Sequence, residues 1–275
     1  MHTLVPLAPA APTATDGRLA ALRRGSHAAS DPTRPRHDRA GAAVRTRPLV
    51  LAVHGTRSEV GTRTSERLAH AVAARVDAEV HLGWVDIHTP PLVDTLRPLG
   101  DAIIVPVFLT CGYHVTSDIP AAIAAAGGRA TATPLVGADV LPAVLERLHQ
   151  AGDFDAVVLA GAGSLRDRAV AEVRTAAAAL SRAVGAPAVA GFVTAASPTV
   201  AEAVAQVRAA GHRRVAIASY LLAPGRFSEQ IMLAGADAVA APIGVHRLLV
   251  DLIVDRWRAA AEQSLTVVRP KAVND

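Results

Sequence analysis

Two histidines and an aspartate carry the clearest chemistry in this sequence. His54 follows the apolar run 49–53, Asp86 follows the run 79–85, and His114 lies shortly beyond the run 102–109. Each run reads as a strand, so the three side chains stand at or just past strand C-terminal ends. Two neutral imidazoles and a carboxylate suit a divalent first-row metal ion and leave positions open for an incoming ligand. An imidazole with its ordinary pKa of about 6.5 is largely neutral near pH 7, so it can hold an ion and also accept a proton.

The elements that must position these groups follow from the pattern of the whole chain. Its 275 residues are 51% hydrophobic but only 3% aromatic, which predicts a layered core of Ala, Val, Leu and Ile and disfavours a base-stacking nucleic-acid module. The single cysteine, Cys111, excludes a disulfide scaffold and a multi-thiolate metal site. No apolar run approaches the roughly 18 residues of a membrane span. Pro6, Pro9 and Pro12 interrupt the start, so no signal peptide, no membrane partner and a cytoplasmic protein are expected. Residues 1–47 hold eight arginines against Asp16, Asp31 and Asp38, an excess larger than the net charge of +4 for the whole chain. The body is therefore near neutral, and the Arg/Pro/Ala-rich segment, lacking an apolar period, is expected to be a disordered extension rather than a nucleic-acid arm.

From Pro48 onward short apolar runs alternate with amphipathic stretches. Strands are predicted over 49–53, 79–85, 102–109 and 130–136, with helices near 60–76, 91–98, 118–126 and 139–150. After Gly152 the series recurs, with strands near 156–159, 188–193, 215–222 and 238–243 and a last helix near 246–260. Such α/β alternation with nearly continuous apolar strands implies parallel sheets covered by helices on both faces. Leu51–Thr56 aligns with Leu159–Ser164 at a shift of 108, Phe108–His114 with Leu221–Phe227 at 113, and Pro134–Gly137 with Ala241–Gly244 at 107. An internal duplication follows. It predicts two similar four-stranded lobes, 48–151 and 152–262, facing each other across a cleft, with 263–275 as a tail. In the second copy His54, Asp86 and His114 are replaced by Ala162, Thr194 and Phe227, as if one site were kept in a single lobe.

The segment Val50–Arg57, with its His-Gly-Thr-Arg, resembles the opening strand and loop of class II sirohydrochlorin chelatases. Val105–Leu109, Gly112-Tyr113-His114 and Asp118-Ile119-Pro120 are similar to that family's second motif. The resemblance spans about residues 48–260, the long two-repeat form. It implies a lyase that inserts Fe2+ or Co2+ into sirohydrochlorin in siroheme or cobalamin synthesis, with His54 and His114 as the metal-handling pair. Family members place an acidic residue, usually Glu, after the second strand, and Asp86 stands there. Protoporphyrin ferrochelatases of similar fold keep their histidine in the C-terminal half, where this chain has Ala162 and Phe227. No cofactor beyond the substrate metal is implied, and a monomer is expected.

The substrate is rich in carboxylates, so cations are expected at the cleft, with Arg57 and Arg226 foremost because a guanidinium grips a carboxylate through two hydrogen bonds. Arg63 and Arg67 read as solvated surface charges, and Cys111 as a small packed residue. Ser117 or Asp118 is expected to cap the helix that carries Ile119 and Pro120, which makes Asp118 structural. Of the other histidines only His88 falls near the cleft, while His70, His81, His149, His212 and His246 read as satisfied surface or core groups. Gly161–Ser164 reads as the decayed copy of the His54 loop rather than a phosphate loop. Two other classes fit part of the pattern: a non-catalytic metal or tetrapyrrole carrier, and a two-lobe module for some other small anion.

Overall fold

A computed structural model describes residues 46–267. Residues 1–45 of the expected extension and 268–275 of the expected tail lie outside the described residues. In the first half, strands β1 (Leu49–Val53), β2 (Val80–Trp84), β3 (Ile103–Pro106) and β4 (Thr131–Ala132) form an all-parallel sheet in the order β2-β1-β3-β4. In the second, β5 (Ala156–Gly161), β6 (Ala188–Phe192), β7 (Val215–Tyr220) and β8 (Ala238–Val239) repeat that order as β6-β5-β7-β8. Every residue of β1, β3, β5 and β7 is buried, the burial a parallel strand takes when both its faces are covered.

The covering helices are α1 (Glu59–Ala73), α2 (Leu92–Leu96), α3 (Ile119–Ala125), α4 (Leu141–Ala151), α5 (Asp167–Val184), α6 (Val200–Ala209), α7 (Arg226–Met232) and α8 (Arg247–Val267). The buried sides of α1, α4, α5 and α8 join residues of both sheets in one continuous apolar layer. Helices α2 and α3 close the outer face of the first sheet, and α6 and α7 that of the second. The lobes thus meet through a shared core, and the last helix of each lobe serves the other. Helix α4 packs on β7 and α8 on β3. The anchors are specific: Arg147 of α4 donates to the Ile243 carbonyl at 3.2 Å, and Arg256 of α8 to the Leu135 carbonyl at 3.1 Å. Arg47, placed in the extension by sequence, is tied to the fold. It donates to the Ala102 carbonyl, pairs with Asp101 at 2.5 Å, and accepts from the Trp257 indole at 3.1 Å.

The fourth strands are shorter than expected. Regular pairing stops at Ala132 and Val239, short of Pro134 and Pro242. The chain nevertheless runs on beside the sheet, with Thr133 N–H donating to Ile104 at 2.9 Å and Ala240 N–H to Ile217 at 2.8 Å. Strand β3 likewise ends at Pro106, and the chain then peels away toward His114.

Candidate metal centre

Because all four strands of the first lobe run parallel, their C-terminal ends share one edge, and the three candidate ligands converge there. His54 is the residue after β1, and Asp86 stands two past β2. His114 opens a π-helical turn, His114–Asp118, that feeds into α3. Backbone bonds weave the first two loops together: Val85 N–H donates to Val53 at 2.8 Å and Asp86 N–H to His54 at 2.9 Å. Gly55 makes that approach possible. At φ +99° its missing Cβ would lie 2.2 Å from the Asp86 carbonyl oxygen, so any side chain would push the loops of His54 and Asp86 apart. Beside it Ile87 sits at φ +70°, a strained conformation for a β-branched residue that costs about 1–3 kcal/mol.

One ligand atom each from His54, Asp86 and His114 lies within 4.8 Å of the others. The imidazoles meet edge to face with centroids 4.4 Å apart. Hydrogen bonds aim both rings. His54 Nδ1 donates to the Gly55 carbonyl at 3.2 Å, and His114 Nδ1 donates to the Asp118 carboxylate at 2.6 Å. Since a carbonyl and a carboxylate can only accept, each ring carries its proton on Nδ1 and keeps Nε2 free as a ligand. Asp86 accepts from Ile87 N–H at 2.7 Å through Oδ1, leaving Oδ2 free. The His54 pKa is lowered, first by the protein packed around it and then by the neighbouring His114. His54 therefore favours its neutral ring, the form a cation requires. His54 and Asp86 are exposed and His114 half-buried, so the centre is an open surface able to meet a large flat partner.

Asp118 makes no cap bond to α3, contrary to the reading that made it structural. Its carboxylate is spent on His114, four residues back on the same turn, where side chains of a helix meet. That i,i+4 spacing was the available signal. His88 is a structural staple: its Nε2 reaches the Thr62 hydroxyl at 3.0 Å and the Thr56 carbonyl, and its ring packs 4.7 Å from Trp84. Arg57 and Arg226 are exposed and make no hydrogen bond or ion pair among the described residues. Gly225, next to Arg226, lies against Ser58 and Thr56, which brings the start of α7 to the His54 loop. Arg63 pairs with Glu59 on the surface of α1. A cavity of about 440 Å3 lies between the lobes beside Leu109, Tyr220 and α5, and none of the three candidate ligands lines it.

The CbiX family model matches residues 48–150 and again 156–260, the two halves of the duplication. The chain belongs to the CbiX family. Among solved structures it is similar to SirB from Bacillus subtilis with Fe3+, at 20% identity and TM-score 0.67, covering 80% of this chain and 97% of that one. SirB from Bacillus subtilis subspecies spizizenii in complex with cobalt matches at 20% identity and TM-score 0.66 over the same shares. CbiX described as the terminal enzyme for biosynthesis of siroheme in denitrifying bacteria matches at 26% identity and TM-score 0.59, covering 78% of this chain and 98% of that one. No curated protein matches the chain. The two SirB likenesses carry the fold alone, and the family match places this chain's duplication within CbiX proteins. No described helix is long and apolar enough to cross a membrane.

Proposed function

We propose that this CbiX-family chain is a sirohydrochlorin chelatase, a lyase that inserts Fe2+ or Co2+ into sirohydrochlorin with release of two protons. The observation that carries the reading is the convergence of His54, Asp86 and His114 on one open strand edge, with both Nε2 atoms free. Metal insertion must strip water from the ion and take protons from pyrrole nitrogens. A pair of imidazoles supplies both capacities, because each can bind the ion and accept a proton once the macrocycle takes the metal over. Ligands of this kind, few and open to solvent, hold an ion without trapping it. Arg57 and Arg226, unpaired and exposed, bind carboxylates at the macrocycle rim. No cofactor beyond the substrate metal takes part, and the protein works as a cytoplasmic monomer.

The experiment is anaerobic conversion of sirohydrochlorin with Co2+ or Fe2+, followed by absorbance under multiple turnover. Sustained turnover is expected. A single stoichiometric change that never repeats would instead make the chain a metal or tetrapyrrole carrier.

A further inference from the structure

The second lobe has lost all three candidate ligands, yet it holds the loop that delivers His114. Three contacts reach that loop from two parts of the second lobe, the start of α5 and the end of β7. The Glu172 carboxylate on α5 accepts from Cys111 N–H at 2.7 Å. The Tyr220 hydroxyl at the end of β7 donates to the Leu109 carbonyl at 3.2 Å. The Arg166 guanidinium, just before α5, lies 5.2 Å from the centre of the Tyr113 ring. These two backbone groups lie past the end of β3, where the sheet no longer provides partners.

The duplication shows that this clamp runs one way. At the shift of 108, Glu172 and Arg166 correspond to Thr64 and Ser58. At 113, Tyr220 corresponds to Val107 and the target Cys111 to Pro224, which has no N–H to give. Thr64 bonds back to Val60 on its own helix, and Ser58 caps α1. The side chains of Glu172, Arg166 and Tyr220 and the N–H of Cys111 thus all lack their chemistry in the reverse direction. The clamp exists only where it supports the loop carrying an imidazole.

We infer that Glu172, assisted by Tyr220, is a positioning residue that sets the placement of His114 over the metal site from the opposite lobe. The inference rests on the chelatase reading for its activity test. Releasing Cys111 N–H lets the 107–114 loop sample other placements, and an imidazole displaced by even about 1 Å loses its shared geometry with His54 and Asp86.

The test compares Glu172→Ala, Glu172→Gln and Tyr220→Phe with the unmodified full chain by steady-state kinetics, with Co2+ titration followed by the visible cobalt spectrum. Glu172→Ala is expected to lower kcat and Co2+ affinity by about 10- to 100-fold. Its KM for sirohydrochlorin should stay within about twofold, because substrate binding is not what is lost. Glu172→Gln should recover most of that loss, since its amide oxygen still accepts from Cys111. Tyr220→Phe deletes only a hydroxyl and should show a smaller change of the same kind, and it decides the matter if Glu172→Ala does not fold. Unchanged kcat and an unchanged cobalt spectrum in both Glu172→Ala and Tyr220→Phe would overturn the inference. A chain that binds Co2+ but converts no sirohydrochlorin would sink the chelatase reading, and the cobalt comparison would still judge the clamp.

Discussion

The two lobes have nearly the same backbone at their ligand edges and opposite side chains. Gly55 and Gly163, at φ +99° and +94°, run close beneath the carbonyls of Asp86 and Thr194. Ile87 and Ala195 both take positive φ, and Trp84 and Phe192 make the same isolated bridge, to Pro91 and Thr199. The cradle therefore persists where Ala162, Thr194 and Phe227 have replaced every ligand. It is held by packing and backbone hydrogen bonds and not by the metal. Polar contacts also cross the joint between the lobes: Asp139 pairs with Arg256 of α8 at 2.6 Å, and its counterpart His246 lies 3.2 Å from Glu146 of α4. A catalytic edge needs its side chains in only one copy.

The strongest break of this comparison is at the imidazoles. His54→Ala and His114→Ala should each reduce insertion to background without unfolding the protein, because both side chains lie beyond the strands. Phe227→His, which returns an imidazole to the second lobe without partners at Ala162 and Thr194, should leave the cobalt stoichiometry unchanged in a calorimetric titration. A second bound ion would show that the second cradle needs only one ligand.

The glycines separate cradle from chemistry. Gly55→Ala and Gly163→Ala both force a side chain into a left-handed conformation against a carbonyl, and each should lower the melting temperature by about 4 °C or more. Only Gly55→Ala should also lose Co2+ affinity, since only that loop joins His54 to Asp86. Equal cobalt binding in the two variants would mean that the cradle does not aim the ligands.

The same comparison explains how much could be read in advance. Strand β1 matched its apolar run residue for residue, and the repeat exposed the ligand edge because losses at three places coincide only if the groups share a site. The exchange of α4 and α8 between lobes was hidden, since an amphipathic stripe states that a helix face is buried and not which sheet buries it. Asp118 was obscured by a competing use: an aspartate at a helix start is by default a cap. Glu172 was beyond reach for a different reason. It lies 61 residues from Cys111, and its helix offers that carboxylate an ordinary i,i+4 partner, Arg168, which it also holds at 3.2 Å, so nothing in the sequence marks a second task.

Next in size is the partner of His114. Asp118→Ala removes the acceptor that fixes the Nδ1 proton, and should cost about 10- to 100-fold in Co2+ affinity by calorimetry. Its counterpart at a shift of 113 is the buried Ile231, which can fill space but cannot orient a ring. An Asp118→Ala variant with unchanged affinity would mean that the loop alone aims His114. Smaller still is Arg226→Ala. Because the guanidinium is exposed, the expected result is a rise in KM for sirohydrochlorin of up to about fivefold with kcat preserved. A fall in kcat at normal KM would bring the second lobe into the chemistry.

The smallest effect concerns acid, and it too should be one-sided. Asp237 of the second lobe has its pKa lowered, first by the Val215 N–H at 2.8 Å and then by Arg208 at 2.9 Å. At the corresponding place the first lobe has Ala130, which cannot titrate. A carboxylate with a depressed folded pKa stabilises the fold above its unfolded value of about 3.9, and that contribution disappears as pH falls through the folded value. Stability tied to Asp237 should therefore be complete at neutral pH and drop below about pH 4. Asp237→Asn removes this dependence, so its melting temperature should lie below that of the unmodified chain at pH 7 and approach it at the lowest pH. The group is exposed and the difference will be small, so it is best read as a ratio across pH and not at one value. Amide exchange should place the acid-sensitive opening at the paired ends of β7 and β8, where Asp237 N–H donates to Val215. Equal pH slopes for the two proteins would show that the bonds to Val215 and Arg208 do not distinguish folded from unfolded chain.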